Sequence, residues 1–144
     1  MRNVRELLKI KGNQVWSIAY DMTIKDALQV MAQNDVGALP VTKDGKLVGI
    51  FSERDYARKM AQKDECSMNT LVSDLMTSKV FYVNLDCSIE DCMALMTERH
   101  IRHLPVLEGD EMVGMISIGD LVKAIISTQK DQINMLENYI QGKW

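Results

Sequence analysis

The sequence predicts a mixed α/β fold of the α+β type, in which two tandem units each run strand, helix, strand, strand, helix. The main observation is an internal repeat without gaps, because residues such as Pro40, Gly49, Ser52 and Asp55 recur as the same type 65 positions later in the chain. A second observation is that apolar residues alternate along the predicted strands and recur every three or four residues along the predicted helices. An ungapped repeat indicates two copies of one folding unit, and such copies usually bury a shared face against each other.

A leading helix is predicted in residues 1–13, ahead of the first repeat. Apolar residues at near-helical spacing run from Val4 to Lys11, and Gly12-Asn13 is a typical helix-ending pair. Residues 14–18 then alternate between polar and apolar types, which predicts the first strand.

The first repeat continues with a helix, two strands and a second helix. Thr23-x-x-Asp26 is a helix-capping pattern, and Asn34-Asp35 ends the helix that follows it. The apolar stripe of this helix consists of Ile24, Ala27, Leu28 and Met31. The next two strands are joined by Asp44-Gly45, a dipeptide that tight hairpin turns favour. A further helix is predicted from Ser52 to about Gln62.

The second repeat shows the same order. Residues 63–68 are interpreted as a linker, residues 72–76 as a short turn of helix and residues 80–83 as a strand. Ser88-x-x-Asp91 caps a helix, and the last helix begins near Gly119 and is longer than its counterpart. The apolar stripe of the first of these two helices consists of Ile89, Cys92, Met93 and Met96. The chain therefore divides into a leading helix (1–13), a first repeat (14–68) and a second repeat (69–144) with an extended C-terminal helix.

Composition and charge argue against several classes of function. With 144 residues the chain has the length of one ordinary domain, so the two repeats are expected to share a core. Its net charge of −3 and pI near 5.4 provide no basic excess, which argues against a nucleic-acid-binding surface. The three cysteines, Cys66, Cys87 and Cys92, form no CxxC pair, so neither a disulfide framework nor a zinc site is indicated.

The sequence also lacks targeting and enzyme signals. An acidic residue, Glu6, lies where the apolar core of a signal peptide would begin, and no apolar run approaches membrane-spanning length. We therefore expect a cytoplasmic protein with no membrane partner. No GxSxG, P-loop or HExxH motif is present in the sequence, so neither catalytic residues nor enzymatic activity are predicted.

Each repeat places a serine and an aspartate where a strand passes into a helix: Ser52 with Asp55, and Ser117 with Asp120. The free N–H groups and the dipole at a helix start favour a nearby anion, and a carboxylate there can accept hydrogen bonds from both hydroxyls of a ribose. Dinucleotide-binding folds also place an acidic residue on a ribose hydroxyl. Taken alone, each pattern is also that of an ordinary N-terminal helix cap.

These motifs resemble those of CBS domains, and the chain resembles a tandem CBS pair, or Bateman module. The resemblance extends from about Gln14 to Ile126 and rests on the capping patterns, on Leu-Pro-Val at residues 39–41 and 104–106, and on the Val-Gly strands that end in Ser-x-x-Asp. It implies two repeats that pack by their sheets about a pseudo-two-fold axis and leave clefts for adenosine-containing ligands. It also implies a regulatory role and association into homodimers.

The resemblance implies AMP, ADP, ATP or NAD(H) as the ligand, ahead of S-adenosylmethionine. In nucleotide-binding members of the family, basic residues just before Leu-Pro-Val contact phosphate. The second repeat has Arg102 and His103 there, whereas the first has Gly37-Ala38, and Arg54 and Arg58 are further phosphate candidates. The alternative for the basic pair is a solvated helix end and loop. The two histidines of the chain have no partnering ligand at metal spacing, so no metal is predicted.

Adenine is expected to lie against apolar side chains, because its faces are apolar whereas its edge carries donors and acceptors. The candidate walls are Val15, Ile18, Val80 and Val83 from the leading strands of the repeats, together with Ile50 and Met115. The alternative for each of them is an ordinary core position.

The predicted function is that of an adenosine-nucleotide-binding regulatory protein for energy or redox sensing, whose ligand state modulates a partner protein that the sequence does not identify. The alternative is a nucleotide-independent dimerisation scaffold or a partner of a thioredoxin-type redox protein, because similar plant-organelle proteins are associated with thioredoxin regulation. The uncharged Gly37-Ala38 pair fits this alternative, since it is consistent with partial loss of the binding sites.

Overall fold

The computed structural model describes residues 2–62 and 68–142 and confirms the mixed α/β fold. Its helices and strands follow in this order: α1 Val4–Lys11, β1 Ile18–Ala19, α2 Ile24–Asn34, β2 Ala38–Lys43, β3 Lys46–Ser52, α3 Glu53–Gln62, α4 Val72–Leu75, α5 Ile89–Arg99, β4 His103–Glu108, β5 Glu111–Ser117 and α6 Ile118–Ile140. Most of the predicted linker, together with Cys66, lies outside the described residues. In the described part of the chain, none of the helices combines the length and the apolar character that crossing a bilayer requires.

The described residues form two compact units. The first-repeat unit contains residues 15–81 and 110–112, and the second-repeat unit contains the chain up to Gln14, Tyr82–Gly109 and the chain from Val113 onwards. The leading helix α1 thus belongs to the second-repeat unit, and α4 belongs to the first-repeat unit. α1 precedes the first repeat in the sequence but packs with the second. α4 precedes the second repeat but packs with the first. The three-part division of the chain into a leading helix and two repeats stays a prediction.

A three-stranded sheet with the order β1-β2-β3 forms the base of the first-repeat unit. β1 is parallel to β2, with Ile18 paired to Val41, and β2 is antiparallel to β3. The hairpin between β2 and β3 is confirmed, because Asp44 and Gly45 have positive φ angles of 52° and 79°. Tight two-residue hairpin turns require this backbone conformation, which aspartate and glycine adopt with little strain.

Helix α2 buries the stripe that its sequence predicted. Its cap is confirmed, because the Asp26 N–H donates to Thr23 Oγ1 at 3.2 Å. Ile24, Ala27 and Met31 are buried on one face, and burying a large apolar side chain stabilises a fold by about 1.5–3 kcal/mol. The same core also contains Ile18, Leu39, Val41, Phe51, Val72 and Leu75.

The second-repeat unit repeats this plan with fewer strands in its sheet. β4 and β5 form a two-stranded sheet, and Val83 bridges in parallel to Val106 at the place that β1 takes in the first repeat. The predicted cap of α5 is confirmed, because the Asp91 N–H donates to Ser88 Oγ at 3.0 Å. α5 and α1 both pack against α6, which is the longest helix of the described residues, at 23 residues.

Two predicted strands are shorter than expected. β1 begins at Ile18 rather than at residue 14, and the strand predicted at residues 80–83 is reduced to the bridge at Val83. Trp16, two residues before the paired Ile18, and Tyr82, one residue before the paired Val83, are 43% and 58% exposed. Residue types therefore alternate along these segments, but the backbone meets a neighbouring strand only at the end of each one.

Backbone hydrogen bonds fix α1 to the segment that leads into α5. The Val4 N–H donates to Cys87 O and the Arg5 N–H to Leu85 O, both at 3.0 Å. The Arg5 side chain also pairs with Asp86 at 3.1 Å on the surface. Val4 itself is completely buried. These contacts place the leading helix in the second-repeat unit.

Close packing of a short helix on a strand explains the Val-Gly pair of each repeat. A β-carbon at Gly49 in β3 would lie 2.5 Å from Met76 Sδ and 3.0 Å from the Thr77 carbonyl oxygen. A β-carbon at Gly114 in β5 would lie 2.8 Å from Leu8 Cδ1. The end of α4 therefore approaches β3, and α1 approaches β5, more closely than a larger residue would permit.

Two cysteines contact each other at the start of α5. Cys87 precedes the capping serine and Cys92 is the fourth residue of the helix, and their Sγ atoms lie 3.6 Å apart. Side chains at these two positions often pack together and fix the path of the chain into a helix. Burial, together with the hydrogen bond to Cys87, raises the pKa of Cys92 to about 12. The Cys92 thiol therefore stays protonated at neutral pH.

We expect Gly49→Ala to lower the free energy of unfolding by about 1–3 kcal/mol, because the added methyl group pushes Met76 and the Thr77 backbone away from β3. Urea-induced unfolding followed by circular dichroism measures the change. Gly37→Ala is the matched control, since the nearest atom to its β-carbon among the described residues would be Glu53 Oε2 at 3.8 Å. Equal losses in the two variants would contradict this explanation of the Val-Gly pair.

Candidate functional site

The two predicted serine and aspartate pairs form reciprocal caps at the starts of α3 and α6. The Asp55 N–H donates to Ser52 Oγ at 3.1 Å, and the Ser52 N–H donates back to Asp55 Oδ2 at 3.1 Å. The Asp120 N–H donates to Ser117 Oγ at 3.2 Å, and the Ser117 N–H donates back to Asp120 Oδ2 at 2.8 Å. Both pairs are therefore helix caps, and each carboxylate is fixed at the positive end of a helix dipole. We call these two places the Asp55 junction and the Asp120 junction.

A backbone hydrogen bond brings the residue two positions before each Leu-Pro-Val to the same junction. The Ile118 N–H donates to Arg102 O at 2.8 Å, and the Glu53 N–H donates to Gly37 O at 3.0 Å. Arg102 is exposed, and His103 begins β4 and is partly exposed. The basic pair therefore lies next to the start of α6, whereas Gly37 takes the equivalent place at the start of α3.

A lysine from the leading helix contacts the Asp120 carboxylate. Lys11 Nζ donates to Asp120 Oδ2 at 2.6 Å and to the Met115 carbonyl oxygen at 2.5 Å. The Lys11 and Asp120 side chains are 36% and 19% exposed. Desolvation acts to raise the pKa of Asp120, but the hydrogen bonds from Lys11 and Ser117 and the Lys11 charge lower this pKa below its usual value. Asp120 is therefore ionised at neutral pH.

Hydroxyl groups contact the Asp55 carboxylate. Ser52 Oγ donates to Asp55 Oδ2 at 3.0 Å, and Thr77 Oγ1 donates to Asp55 Oδ1 at 2.9 Å. Thr77 is held there by two backbone hydrogen bonds with Ile50 in β3, at 2.8 and 3.0 Å. A hydroxyl can rotate and exchange its partner, whereas an ammonium group brings a full positive charge. The two junctions thus share one cap but differ in what contacts the carboxylate.

The arrangement of each junction suits a vicinal diol. A carboxylate offers two acceptor oxygens, which match the two donors of a diol such as that of ribose. At the Asp55 junction, the two hydroxyls of a diol would replace the Ser52 and Thr77 hydroxyls as hydrogen-bond donors to the carboxylate. At the Asp120 junction, it would compete with the Lys11 ammonium for Oδ2.

The remaining predicted site residues differ in exposure. Arg54 and Arg58 lie exposed on α3. Val15 and Val80 are partly buried, whereas Ile18 and Val83 are 2% and 5% exposed and belong to the interior of their own units. Within the residues that the structure describes, no three histidine, cysteine, aspartate or glutamate side chains are grouped so that they could hold a metal ion.

The predicted residues are divided between the two units. The second-repeat unit contains Arg102, His103, Ser117, Asp120 and Val83. The first-repeat unit contains Ser52, Arg54, Asp55, Arg58, Val15, Ile18 and Val80. Each junction is therefore complete within one unit.

Lys11 and Thr77, which contact the two carboxylates, were not predicted from the sequence. Lys11 ends α1, and Thr77 lies two residues after α4. The two helices begin with a similar pattern, Val-x-x-Leu followed by Leu or Met, at residues 4–8 and 72–76. These segments are 68 positions apart rather than 65, so they fall outside the ungapped repeat. This shared pattern could have shown that the two helices are equivalent elements, but Lys11 and Thr77 follow it at different distances and are not located by it.

A family model of the CBS domain matches two segments of the chain, residues 4–62 and 72–127. The first segment begins with α1 and the second with α4, so the family pattern includes both short helices.

Relatives with similar sequences carry the same domain. The chain is 38% identical to the CBS domain-containing protein CBSX3, mitochondrial, of Arabidopsis thaliana, over 96% of this chain and 72% of that protein. It is 34% identical to the CBS domain-containing protein YhcV of Bacillus subtilis, over 75% of this chain and 76% of that protein.

Solved structures with the same fold include a protein with CBS domains from Burkholderia ambifaria MC40-6, with a TM-score of 0.83 and 43% identity, covering 88% of this chain and 96% of that chain. The CBS domain pair of protein MJ0100, solved in complex with 5′-methylthioadenosine and S-adenosyl-L-methionine, has a TM-score of 0.74 and 22% identity, covering 88% of this chain and 97% of that chain. Because the two matched segments include most of its residues, the chain belongs to the CBS domain family, as a tandem CBS pair.

Proposed function

We propose that this chain is a regulatory, non-catalytic protein that binds an adenosine-containing ligand through the carboxylates of its Asp55 and Asp120 junctions. The observation that carries the proposal is that both repeats fix a carboxylate at the start of a helix by the same reciprocal cap. The MJ0100 pair, which has this fold, was solved with two ligands that contain adenosine. Ribose is the part of such ligands that a carboxylate recognises, because its two hydroxyls match the two oxygens.

The charges around the junctions favour a phosphorylated ligand at the Asp120 junction. Arg102 lies there through its backbone contact with Ile118, and His103 follows it. The start of α6 adds its dipole, and an arginine offers a planar set of donors that suits phosphate. The Asp55 junction has Gly37 at the equivalent place. We therefore assign AMP, ADP, ATP or NAD(H) to the Asp120 junction, and a ligand with a less charged group near Gly37 to the Asp55 junction.

Lys11 gives ligand binding a structural consequence. A diol that takes both oxygens of Asp120 displaces Lys11 Nζ, which removes one contact that holds the end of α1. A ligand shifts a conformational equilibrium only by its difference in affinity for the two states. The two states here are α1 with Lys11 paired to Asp120 and α1 with Lys11 released. A partner protein that contacts α1 in one of these states would respond to the ligand.

One observation favours a second candidate function, a scaffold that works without nucleotide. The Lys11 ammonium already satisfies the Asp120 carboxylate, so the Asp120 junction is stable without a ligand. If the protein is such a scaffold, Lys11 stays paired with Asp120 and no nucleotide raises the melting temperature. The cytoplasmic location stays a prediction, because the Arabidopsis relative is named as a mitochondrial protein.

We expect at least one of AMP, ADP, ATP, NAD, NADH and S-adenosylmethionine to raise the melting temperature. At about 100 times its dissociation constant, a ligand adds about 2.7 kcal/mol to the free energy of unfolding. Asp55→Asn and Asp120→Asn, combined in one protein, remove the charge of both carboxylates and should abolish the shift. Asp131→Asn, at an exposed position further along α6, is the matched control and should keep it. No shift with any ligand, an equal shift in the double variant, or turnover of the bound nucleotide would contradict the proposal.

We expect Lys11→Met to increase the affinity for adenosine, by about tenfold at the Asp120 junction, because the diol no longer competes with an ammonium group. Adenosine is the appropriate probe, since it has no phosphate that Lys11 could attract. Isothermal titration calorimetry of the wild type, Lys11→Met and the control Lys9→Met measures the change. Lys9 is exposed on the same helix, so its removal should leave the affinity unchanged. Equal or weaker binding by Lys11→Met would show that Lys11 does not compete for Asp120.

We expect Lys11→Met to lower the free energy of unfolding at pH 7 by about 1 kcal/mol, and this difference to disappear in acid. The pKa of Asp120 is lowered in the folded protein, so the stabilisation from its ionised form is fully present above the unfolded pKa. It is lost as the pH falls through the lowered folded value. Urea unfolding of the wild type, Lys11→Met and Lys9→Met between pH 7 and pH 2.5 tests this, and a difference independent of pH would contradict the ion-pair explanation.

A further inference from the structure

The second half of α6 is exposed on all sides. Every residue from Gln129 to Ile140 is exposed, which is about half of this helix. The first half is anchored to the second-repeat unit by Leu121 and Ala124, which are 0% and 2% exposed. Within the described part of the chain, the exposed half therefore leaves its apolar side chains largely uncovered. Isolated helices of this length are marginal in water, so a helix of this kind usually depends on packing against a partner.

Large apolar side chains recur along one face of α6. The exposed ones, with their exposed fractions, are Val122 (40%), Ile126 (46%), Ile133 (53%), Leu136 (63%) and Ile140 (81%). With Gln129 included, successive members of this face are separated by four, three, four, three and four residues. This alternation of three and four is the spacing of the a and d positions of a coiled coil. A face of this kind packs against a second helix with the same spacing.

We propose that the segment Gln129–Ile140 of α6 pairs with the same segment of a second copy of this chain, in antiparallel orientation across a two-fold axis. We call the face of this segment that carries Gln129, Ile133, Leu136 and Ile140 the α6 seam. In such a pair, Ile133 of one copy packs against Leu136 of the other, and Gln129 packs against Ile140. A two-fold interface is self-complementary, so each of these contacts occurs twice.

Charge complementarity selects a second copy as the occupant and fixes the orientation. Lys130 and Glu137 lie one heptad apart on the same flank of the α6 seam. When Ile133 faces Leu136 in an antiparallel pair, Lys130 of each copy lies opposite Glu137 of the other, which gives two ion pairs of opposite charge. In a parallel pair the flanking position opposite Glu137 is the uncharged Gln132. Flanking charges of this type set partner choice and orientation in coiled coils.

This pairing is independent of nucleotide binding. The α6 seam begins nine residues after Asp120, which at a rise of 1.5 Å per residue is about 14 Å further along the helix. Substitutions in the α6 seam are therefore expected to change the oligomeric state and leave the ligand-induced shift in melting temperature intact. A failure of the nucleotide proposal would not affect the result at the α6 seam.

Sedimentation velocity of the whole chain between about 5 and 200 μM tests the proposal. We expect the wild type to be a dimer at the upper concentrations and Leu136→Asp to be a monomer, with dimerisation at least tenfold weaker. Asn138→Asp is the matched control, because it introduces the same charge two residues away on the exposed face opposite the α6 seam. It should dimerise like the wild type. A monomeric wild type, or a Leu136→Asp protein that remains a dimer, would overturn the proposal.

A charge exchange tests the antiparallel orientation without altering the apolar face. Lys130→Glu and Glu137→Lys each place like charges opposite each other and should weaken the dimer severalfold. The double variant Lys130→Glu/Glu137→Lys restores opposite charges and should recover the affinity of the wild type. Lack of recovery in the double variant would overturn the antiparallel pairing. Recovery would support it, because in a parallel pair these two residues do not face each other.

Discussion

A carboxylate that caps the helix after each hairpin is the feature on which the rest of this structure depends. At the starts of α3 and α6, the aspartate and the serine three residues before it satisfy each other's backbone N–H groups. A cap of this type contributes about 1 kcal/mol to the stability of its helix. The same bonds hold the carboxylate in one position at the helix start. The group that stabilises the fold is therefore also the group that is prepared to bind a ligand.

Each carboxylate is completed by a residue from a short helix that lies elsewhere in the sequence. Lys11 of α1 reaches Asp120, and Thr77, just after α4, reaches Asp55. These approaches are possible because the strand next to each junction has a glycine where the short helix packs, Gly114 under Leu8 in the second repeat. The glycine of each strand therefore permits the close approach of the short helix, and this approach places Lys11 or Thr77 against the carboxylate.

Much of the fold could be predicted from the sequence because its signals are local. The caps of α2 and α5, the Asp44-Gly45 hairpin and the extra length of α6 each depend on residues within a few positions of one another. The short strands were overestimated, because alternation of residue type shows an extended segment but not whether a neighbouring strand is present. The serine and aspartate pairs were located correctly as the starts of α3 and α6.

The contacts that distinguish the two junctions could not be predicted in the same way. Lys11 and Asp120 are 109 positions apart, and Thr77 and Asp55 are 22 positions apart. No periodicity connects such residues, and the offset of the two short helices differs from that of the repeat. The assignment of α1 to the second-repeat unit depends on hydrogen bonds to residues 85 and 87, which the sequence order does not suggest.

The position of α1 has a consequence for how the protein is made. The ribosome synthesises α1 before residues 15–81, yet the strand and helix on which it packs, β5 and α6, are synthesised after them. At translation rates of roughly 5–20 residues per second, the 109 residues between Lys11 and Asp120 correspond to a delay of about 5–20 s. Until the end of this delay the apolar face of α1, with Val4, Leu7 and Leu8, lacks the part of its native surface that β5 and α6 provide. The burial of α1 is therefore completed only after the second repeat has been synthesised.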